Sequence, residues 1–265
     1  MKKGFILDLD GCVYLGNQPI EGVGDTINVL RGEGKKILFL TNNSTKTPRD
    51  YAEKLRRMGV DVVEEEVLTS SLATAVYLRR LGYGDCFVVG EEGLVRALEE
   101  NGFRVIGVRE AKNARYVVCG LDTSLTYEKM AAACYAIQNG AKFIATNTDP
   151  RLPVEDGYVP GAGSIIEAIA TATGSRPTVI GKPSKRIMNI ALSRMGLKKS
   201  EVVMVGDTLK IDMAAAKGMG MTGVLVLSGS TKTEDIEKSR IKPDAVIPSV
   251  AEIGKMFGRN RRSLA

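Results

Sequence analysis

Apolar and polar positions alternate in blocks along almost the whole chain. Short blocks rich in Val, Ile, Leu and Phe have the length of strands, and most are followed by a longer stretch with helical spacing. The predicted strands are 5–7, 35–41, 85–90, 114–120, 141–146, 177–181, 200–207, 222–229 and 244–249. The predicted helices are 46–58, 69–82, 92–101, 126–139, 164–173, 184–195 and 209–217. This alternation predicts an α/β fold, a parallel sheet with helices on both faces.

One predicted connection is unusually long. Residues 147–163 are rich in Pro, Gly and Asp and are interpreted as a loop. Loops of this length in a compact protein often carry function.

The composition is that of an ordinary globular protein. Of the 265 residues, 44% are hydrophobic and 26% charged, and no apolar run has the length of a membrane span. The first residues pass directly into a strand-like segment without the apolar core of a signal peptide. The four cysteines form no C-x-x-C pair, which favours free thiols in a reducing compartment. We therefore expect a cytoplasmic protein that does not interact with membranes.

The chain contains no histidine. This absence excludes Ser-His-Asp and Cys-His nucleophile systems, histidine general bases and every zinc site that needs histidine. If the protein is a hydrolase, its carboxylates, lysines and a hard metal ion must carry the chemistry.

The net charge of +6 raises the question of nucleic-acid binding. The basic residues are spread among 31 acidic ones, however, and aromatic residues make up only 5% of the chain. No aromatic platform for stacking bases is evident. We expect no nucleic-acid partner.

Reactive side chains stand at the ends of several predicted strands. Asp8 and Asp10 follow the first strand, Thr41 ends the second, Lys182 follows 177–181, and Asp207 ends 200–207. In a parallel α/β sheet, ligands bind at the carboxyl ends of the strands. These residues could therefore converge on one crevice, which is a far more specific signal than a D-x-D sequence alone.

Simpler interpretations exist for some of these residues. Asp207 could be an ordinary helix N-cap, and Asp212 could be a surface charge on the helix that follows. Asn42 and Asn43 could be turn residues, because asparagine suits turns.

Taken together, the motifs resemble the haloacid dehalogenase (HAD) superfamily. The first family motif, D-x-D-G, is present as residues 8–11, and the second, a Thr or Ser at a strand end, is Thr41. The third is a lysine, here Lys182, and the fourth, G-D-x-x-x-x-D, is present as residues 206–212. All four motifs are intact and in order, and the resemblance covers nearly the whole chain.

Three further segments resemble the NagD-like, p-nitrophenyl-phosphatase-type branch more narrowly: "TNNS", "GKP" and "TNTDPRLP…DGYVPGAGS". The resemblance implies a Rossmann-like parallel-sheet core with an inserted α/β cap domain of the C2 type. We assign residues 1–80 and 180–265 to the core and 81–179 to the cap.

The resemblance also implies a Mg²⁺-dependent phosphatase that acts through an aspartyl-phosphate. Asp8 would be the nucleophile, and Asp10 would be the general acid and base. The presence of Asp10 favours a phosphatase over a dehalogenase, and it argues against a protein that only binds phosphate. Asp8, Asp207 and the main-chain carbonyl of Asp10 would hold Mg²⁺, with Asp212 orienting the groups around it.

The same resemblance assigns phosphate binding to Lys182, to Thr41 and to the backbone around Asn42 and Asn43. Substrate specificity would lie in the cap, and the residues proposed for it are Asn147, Asp149 and Arg151.

The substrate would be a small phosphomonoester: p-nitrophenyl phosphate, a sugar phosphate, phosphoglycolate, pyridoxal phosphate, glycerol phosphate or a nucleoside monophosphate. A homodimer is an expectation from the resemblance alone. Two alternatives remain open, namely a nucleotide- or nucleic-acid-binding α/β module and a non-catalytic phosphate-binding protein on the same fold.

Overall fold

The structure is a computed structural model that describes residues 2–154 and 156–257. The chain forms two compact units. The first consists of the described parts of Met1–Thr41, Pro48–Leu68 and Met188–Ala265, and the second of Asn42–Thr47 and Thr69–Ile187. The assignment of 81–179 to a cap domain stays a prediction.

The described strands are β1 (Gly4–Leu7), β2 (Tyr14–Leu15), β3 (Gln18–Pro19), β4 (Lys36–Thr41), β5 (Val67–Thr69), β6 (Cys86–Val89), β7 (Val105–Ile106), β8 (Tyr116–Cys119), β9 (Lys142–Ala145), β10 (Arg151–Val154), β11 (Gly157–Pro160), β12 (Thr178–Val179), β13 (Val202–Gly206), β14 (Thr222–Val226) and β15 (Ala245–Ile247). The described helices are α1 (Val23–Gly32), α2 (Pro48–Arg57), α3 (Ser70–Leu81), α4 (Glu92–Glu99), α5 (Tyr127–Gln138), α6 (Ala162–Thr173), α7 (Lys185–Met195), α8 (Ala214–Met219), α9 (Thr233–Lys238) and α10 (Ile253–Phe257).

The first unit is built on a six-stranded sheet in the order β15-β14-β13-β1-β4-β5. Strand β1 pairs in parallel with β13 on one side and β4 on the other, and Leu7 lies opposite Val205 and Phe39. Because these strands run in the same direction, the residues that follow them emerge at one edge of the sheet. Asp8 and Asp207 directly follow β1 and β13, and they share this edge.

Strand β1 is buried on both faces. Phe5, Ile6 and Leu7 have no exposed surface. A central strand of a parallel sheet covered by helices reads as a continuous apolar run, which explains why no period-2 alternation is visible in the sequence here.

The second unit has its own five-stranded sheet, in the order β12-β9-β8-β6-β7, and its own apolar core. In that core, side chains of the strands, such as Val117, pack with helix residues such as Ala133 and Ile166. The predicted α/β fold class is confirmed, because each unit is built on a sheet of parallel strands combined with helices.

Two predicted segments have a different structure, and helices α1, α9 and α10 and strands β2, β3, β5 and β7 were not predicted. The predicted loop 147–163 contains an antiparallel hairpin, β10 with β11, in which Arg151 lies opposite Pro160. The proline and glycine content of this segment concealed two short strands. The predicted helix 209–217 begins with a wider π-helical turn, Leu209–Met213, before α8.

Within 2–154 and 156–257, no helix combines the length and the apolar character needed to cross a membrane. All four cysteines are free thiols.

Candidate active site

Three carboxylates of the first unit lie together at the carboxyl edge of its sheet. Asp8 follows β1, Asp207 follows β13, and Asp212 lies in the π-helical turn after β13. One oxygen from each carboxylate lies within 4.8 Å of the other two. Asp207 and Asp212 are buried, so this arrangement brings negative charges together in a place with little water.

The carboxylate of Asp207 is held by the loop after β14. Both the backbone N–H and the hydroxyl of Ser230 donate to Asp207 Oδ2, each at 2.7 Å. The N-cap interpretation of Asp207 is wrong, because Thr208 is the N-cap of the following turn and accepts a hydrogen bond from Asp212 N.

Asp212 has no exposed surface, so its interpretation as a surface charge is also wrong. Its Oδ2 accepts hydrogen bonds from Thr208 N at 3.1 Å and Thr208 Oγ1 at 2.7 Å. A buried carboxylate is costly unless such donors hold it. Thr208 therefore fixes the orientation of Asp212.

The glycines of the motifs leave room for these carboxylates. Gly11 has a φ of +77°, and a Cβ at this position would lie 2.6 Å from Asp207 Oδ2. A Cβ on Gly206 would collide with the side chain of Asp212. The glycines of D-x-D-G and G-D are thus required by close approach of the acidic side chains.

The carboxylate cluster fits a hard divalent cation. Its donor set is entirely oxygen, which Mg²⁺ prefers, and three negative charges at this separation repel one another unless a cation offsets them. Asp8 and Asp207, the two side chains predicted to bind the metal, both lie in this cluster, and their role as ligands stays a prediction. The structure places Asp212 in the same cluster, whereas the sequence predicted only an orienting role for it.

Asp10 is exposed and lies near Lys54 of α2. Although Asp10 is in contact with solvent, desolvation by the neighbouring protein atoms raises the pKa of its carboxyl, and the Lys54 charge and the Gly11 N–H oppose this rise. The Lys54 ammonium is positioned by two contacts: it lies 3.7 Å from the centroid of the Tyr14 ring and donates to Gly16 O at 2.7 Å.

Thr41 is buried at the end of β4, and its side chain hydrogen-bonds that of Tyr51. Burial raises the pKa of the Tyr51 phenol, as does the charge of Asp10, while the hydrogen bond to Thr41 acts in the opposite direction. Tyr51 is therefore a neutral hydrogen-bonding group beside Thr41.

The sequence reasoning missed Ser230, Thr208, Tyr51 and Lys54. The strand-end argument could have found Ser230, because it follows β14 at the same edge of the sheet. Tyr51 and Lys54 lie on one face of α2 and belong to no motif.

In the second unit, Asn42 binds the backbone of Lys182 in both directions. Lys182 N donates to Asn42 Oδ1 at 2.7 Å, and Asn42 Nδ2 donates to Lys182 O at 3.0 Å. Asn42 Nδ2 also donates to Asp149 Oδ2 at 3.1 Å, and Asn147 Nδ2 donates to Asn42 O at 2.8 Å. Asn42 is therefore more than a turn residue: it links the backbone of a lysine with only 1% exposure to residues 147–149.

Asn43 is exposed and forms the expected turn, because its Oδ1 accepts from Thr45 N at 2.9 Å and Thr45 Oγ1 at 2.8 Å. Arg151 lies on the hairpin of β10 and β11, where its guanidinium stacks on the exposed ring of Tyr158, 4.2 Å from the centroid. The assignments of Asn147, Asp149 and Arg151 to specificity stay predictions.

The sequence profile of haloacid dehalogenase-like hydrolases matches residues 5–104, and a second profile, described as HAD-hydrolase-like, matches 179–253. The chain is 41% identical over 251 residues to the 5'-nucleotidase YutF of Bacillus subtilis, covering 94% of this chain and 96% of that relative.

Two solved structures extend the comparison. The p-nitrophenyl phosphatase from Archaeoglobus fulgidus has a TM-score of 0.91 and 39% identity, covering 97% of this chain and 99% of that one. The glycerol phosphate phosphatase Rv1692 from Mycobacterium tuberculosis, solved in complex with magnesium, has a TM-score of 0.87 and 31% identity, covering 94% of this chain and 75% of that one.

The α/β fold and the two matching profiles define the chain as a hydrolase. The chain belongs to the haloacid dehalogenase-like hydrolase family. The predicted family, including its p-nitrophenyl-phosphatase-type branch, is confirmed.

Proposed function

We propose that this hydrolase is a Mg²⁺-dependent phosphatase that cleaves small phosphomonoesters through an aspartyl-phosphate on Asp8. Relatives named phosphatase and 5'-nucleotidase make the chain a phosphoric monoester hydrolase. The observation that carries the mechanism is the cluster of Asp8, Asp207 and Asp212, whose carboxylate oxygens lie within 4.8 Å of one another at the strand ends.

In the first half-reaction, a carboxylate oxygen of Asp8 attacks the phosphorus, and the bond between phosphorus and the ester oxygen breaks. Asp10 gives its proton to the departing alkoxide. The product is an alcohol and a phosphoryl group bound to Asp8, so that one difficult step becomes two easier ones.

In the second half-reaction, Asp10, now a carboxylate, takes a proton from water as the water oxygen attacks the phosphorus. The bond to Asp8 breaks, inorganic phosphate leaves, and Asp10 is again protonated. Acid–base catalysis of this kind typically contributes about 10²–10⁴-fold to the rate.

Two further side chains would act on the phosphoryl oxygens. The Thr41 hydroxyl and the N–H groups that follow it would donate hydrogen bonds, and Lys182 would offset negative charge. The hydrogen bonds of Asn42 to the Lys182 backbone support a positioning role for Asn42.

Asp8, Asp207 and the main-chain carbonyl of Asp10 would hold the cation, with Ser230 orienting Asp207 and Thr208 orienting Asp212. A bound Mg²⁺ would polarise the phosphoryl oxygens and offset the charge of the carboxylates. The magnesium in the glycerol phosphate phosphatase structure supports this choice of metal.

The substrate is one of the small phosphomonoesters named above. Relatives named for a 5'-nucleotide, p-nitrophenyl phosphate and glycerol phosphate support this class, and they resemble the chain to a similar degree. We further propose a cytoplasmic enzyme, a homodimer by family resemblance, with no nucleic-acid partner.

The decisive test is release of phosphate from p-nitrophenyl phosphate. The wild-type chain should turn over only with Mg²⁺, and Asp8→Asn should lose at least about 10³-fold in kcat. Full activity in Asp8→Asn would refute the nucleophile assignment. Binding of phosphate without any turnover by the wild-type chain would restore the non-catalytic alternative. With activity established, a panel of sugar phosphates, phosphoglycolate, pyridoxal phosphate, glycerol phosphate and nucleoside monophosphates, ranked by kcat/KM, would identify the substrate.

A further inference from the structure

A charged cavity lies in the first unit, at the opposite edge of its sheet from the carboxylate cluster. It has a volume of about 450 Å³, and its lining includes Lys35, Lys36 and Arg194. Lys36 begins β4 and Thr41 ends it, so the two edges are roughly 16 Å apart at about 3.3 Å per residue. The cavity is therefore separate from the candidate active site.

The three cations are bonded to neutral groups. Lys35 Nζ donates to Lys2 O at 3.0 Å, Lys36 Nζ donates to Met195 O at 2.8 Å, and Arg194 Nε donates to Glu65 O at 2.7 Å. Within 2–154 and 156–257, none of these three side chains forms an ion pair with a carboxylate. Main-chain carbonyls therefore hold these three cations in position without forming ion pairs with them.

The acidic residues of the cavity do not cancel this charge. Glu66 is paired with Arg31, a fourth cation of the lining. The carboxylates of Glu64 and Glu65 also lie near Arg194, and Glu65 belongs to the lining. The lining contains four cations and two carboxylates, and its net charge is therefore +2.

The floor of the cavity is firm and apolar. Ile37, Leu38 and Met195 are at most 5% exposed, and Lys35 is only 7% exposed. Lys36 and Arg194 are exposed at the rim, where they can reach a bound anion. Several fixed cations around a concave space suit an anion with several charges better than one with a single charge.

We propose that this cavity binds a polyphosphate group, either inorganic or carried by a nucleoside. Lys36 and Arg194 contact the phosphate oxygens, and Lys35 contributes its charge from below. The site is independent of phosphatase activity, since none of its residues takes part in the proposed reaction.

The test is calorimetric titration of the full chain with tripolyphosphate in EDTA, at about 0.1 M salt, where surface charges are screened beyond about 10 Å. Because EDTA removes divalent metal, hydrolysis does not interfere, and failure of the proposed enzyme activity would not affect the result. One molecule should bind per chain. Lys36→Gln and Arg194→Gln should each weaken binding about tenfold, the loss of one charge-assisted contact. Lys238→Gln, a change of equal charge at an exposed position of α9, should leave binding unchanged.

Two further arms sharpen the result. Lys182→Gln tests whether tripolyphosphate binds at the candidate active site instead. Inorganic monophosphate should bind at least about tenfold more weakly than tripolyphosphate. ATP binding as tightly as tripolyphosphate would support recognition of the phosphate chain alone, and tighter binding would support a nucleoside-borne ligand. If circular dichroism shows that Arg194→Gln does not fold, the affinity of Lys36→Gln for tripolyphosphate decides, because Lys36 is exposed. Lys36→Arg, which keeps the charge, should bind tripolyphosphate as the wild-type chain does.

Four results would overturn the proposal: no binding of tripolyphosphate, unchanged affinity in Lys36→Gln, loss of affinity only in Lys182→Gln, or equal affinity for monophosphate.

Discussion

Ser230 donates two hydrogen bonds to a single oxygen of Asp207, one from its backbone N–H and one from its hydroxyl, both at 2.7 Å. The two residues follow neighbouring strands, β13 and β14, and are separated by 23 positions in the chain. The loop after β14 thereby fixes the orientation of a carboxylate that the sequence assigns to the metal. Groups that orient metal ligands in this way contribute to the affinity of the site.

Replacement of Ser230 by Ala should weaken Mg²⁺ binding about tenfold, the low end of the usual effect, because the backbone donor remains. The measurement is the Mg²⁺ concentration that gives half-maximal activity, and saturating Mg²⁺ should restore most of kcat. Ser193→Ala, an exposed serine of α7, serves as the control. An unchanged Mg²⁺ dependence in Ser230→Ala would show that the hydroxyl does not position Asp207.

Asp10→Asn should separate the two half-reactions with p-nitrophenyl phosphate. The p-nitrophenolate anion leaves without a proton, so the attack by Asp8 continues, while activation of water loses about 10²–10⁴-fold. Rapid mixing should therefore show a burst of p-nitrophenol close to one equivalent of enzyme, followed by slow turnover. Acid-quenched protein should carry labelled phosphate.

A matched alkyl phosphate provides the control for this prediction. Its alkoxide needs a proton to leave, so the same variant should show neither a burst nor labelled protein. A burst of equal size with both substrates would remove Asp10 from the role of general acid.

The strand-end argument from the sequence placed Asp8 and Asp207 correctly, because parallel strands deliver the residues after them to one edge of the sheet. The same argument could have found Ser230, which follows β14 at this edge, but it could not predict the contact of Ser230 with Asp207. It also did not predict the burial of Asp212 beside Thr208, which depends on packing that the helical pattern does not reveal.

The same limit applies to the hairpin. A proline- and glycine-rich segment predicted a loop, while the pairing of β10 with β11 arises from hydrogen bonds between the two strands that local composition does not encode. The apolar blocks, by contrast, predicted those strands of the two parallel sheets that are fully buried. Such strands are apolar at successive positions, and this run is visible in the sequence.

Asn42→Ala should lower the free energy of unfolding by roughly 1–3 kcal/mol. The reason is that the buried Asn42 amide bonds the backbone of Lys182, and its loss leaves the Lys182 N–H and C=O without these partners. Urea unfolding followed by circular dichroism measures the change. Asn43→Ala is a matched control, since the adjacent asparagine is exposed and serves one turn. Equal losses in the two variants would contradict a special role for the Asn42 amide.

Asp244 should make the stability of the first unit depend on pH in the acidic range. Burial acts to raise the pKa of its carboxyl, but hydrogen bonds from Lys217 and from Gly223 N, the latter at 2.8 Å, outweigh burial and lower the pKa. A carboxyl whose pKa is lower in the folded state stabilises the fold above its unfolded pKa, about 3.9, and this contribution is lost as the pH falls through the folded value.

Asp244→Asn should therefore cost about 1 kcal/mol at pH 7, a modest value because the side chain is 41% exposed and solvent screens its charge. The difference from wild type in urea unfolding should stay constant down to about pH 5 and shrink below about pH 4, as the wild-type carboxyl takes up its proton. Glu237→Gln, at an exposed position of α9, should show no such dependence. A difference that persists undiminished at pH 2 would mean that the geometry of Asp244, and not its charge, stabilises this part of the unit.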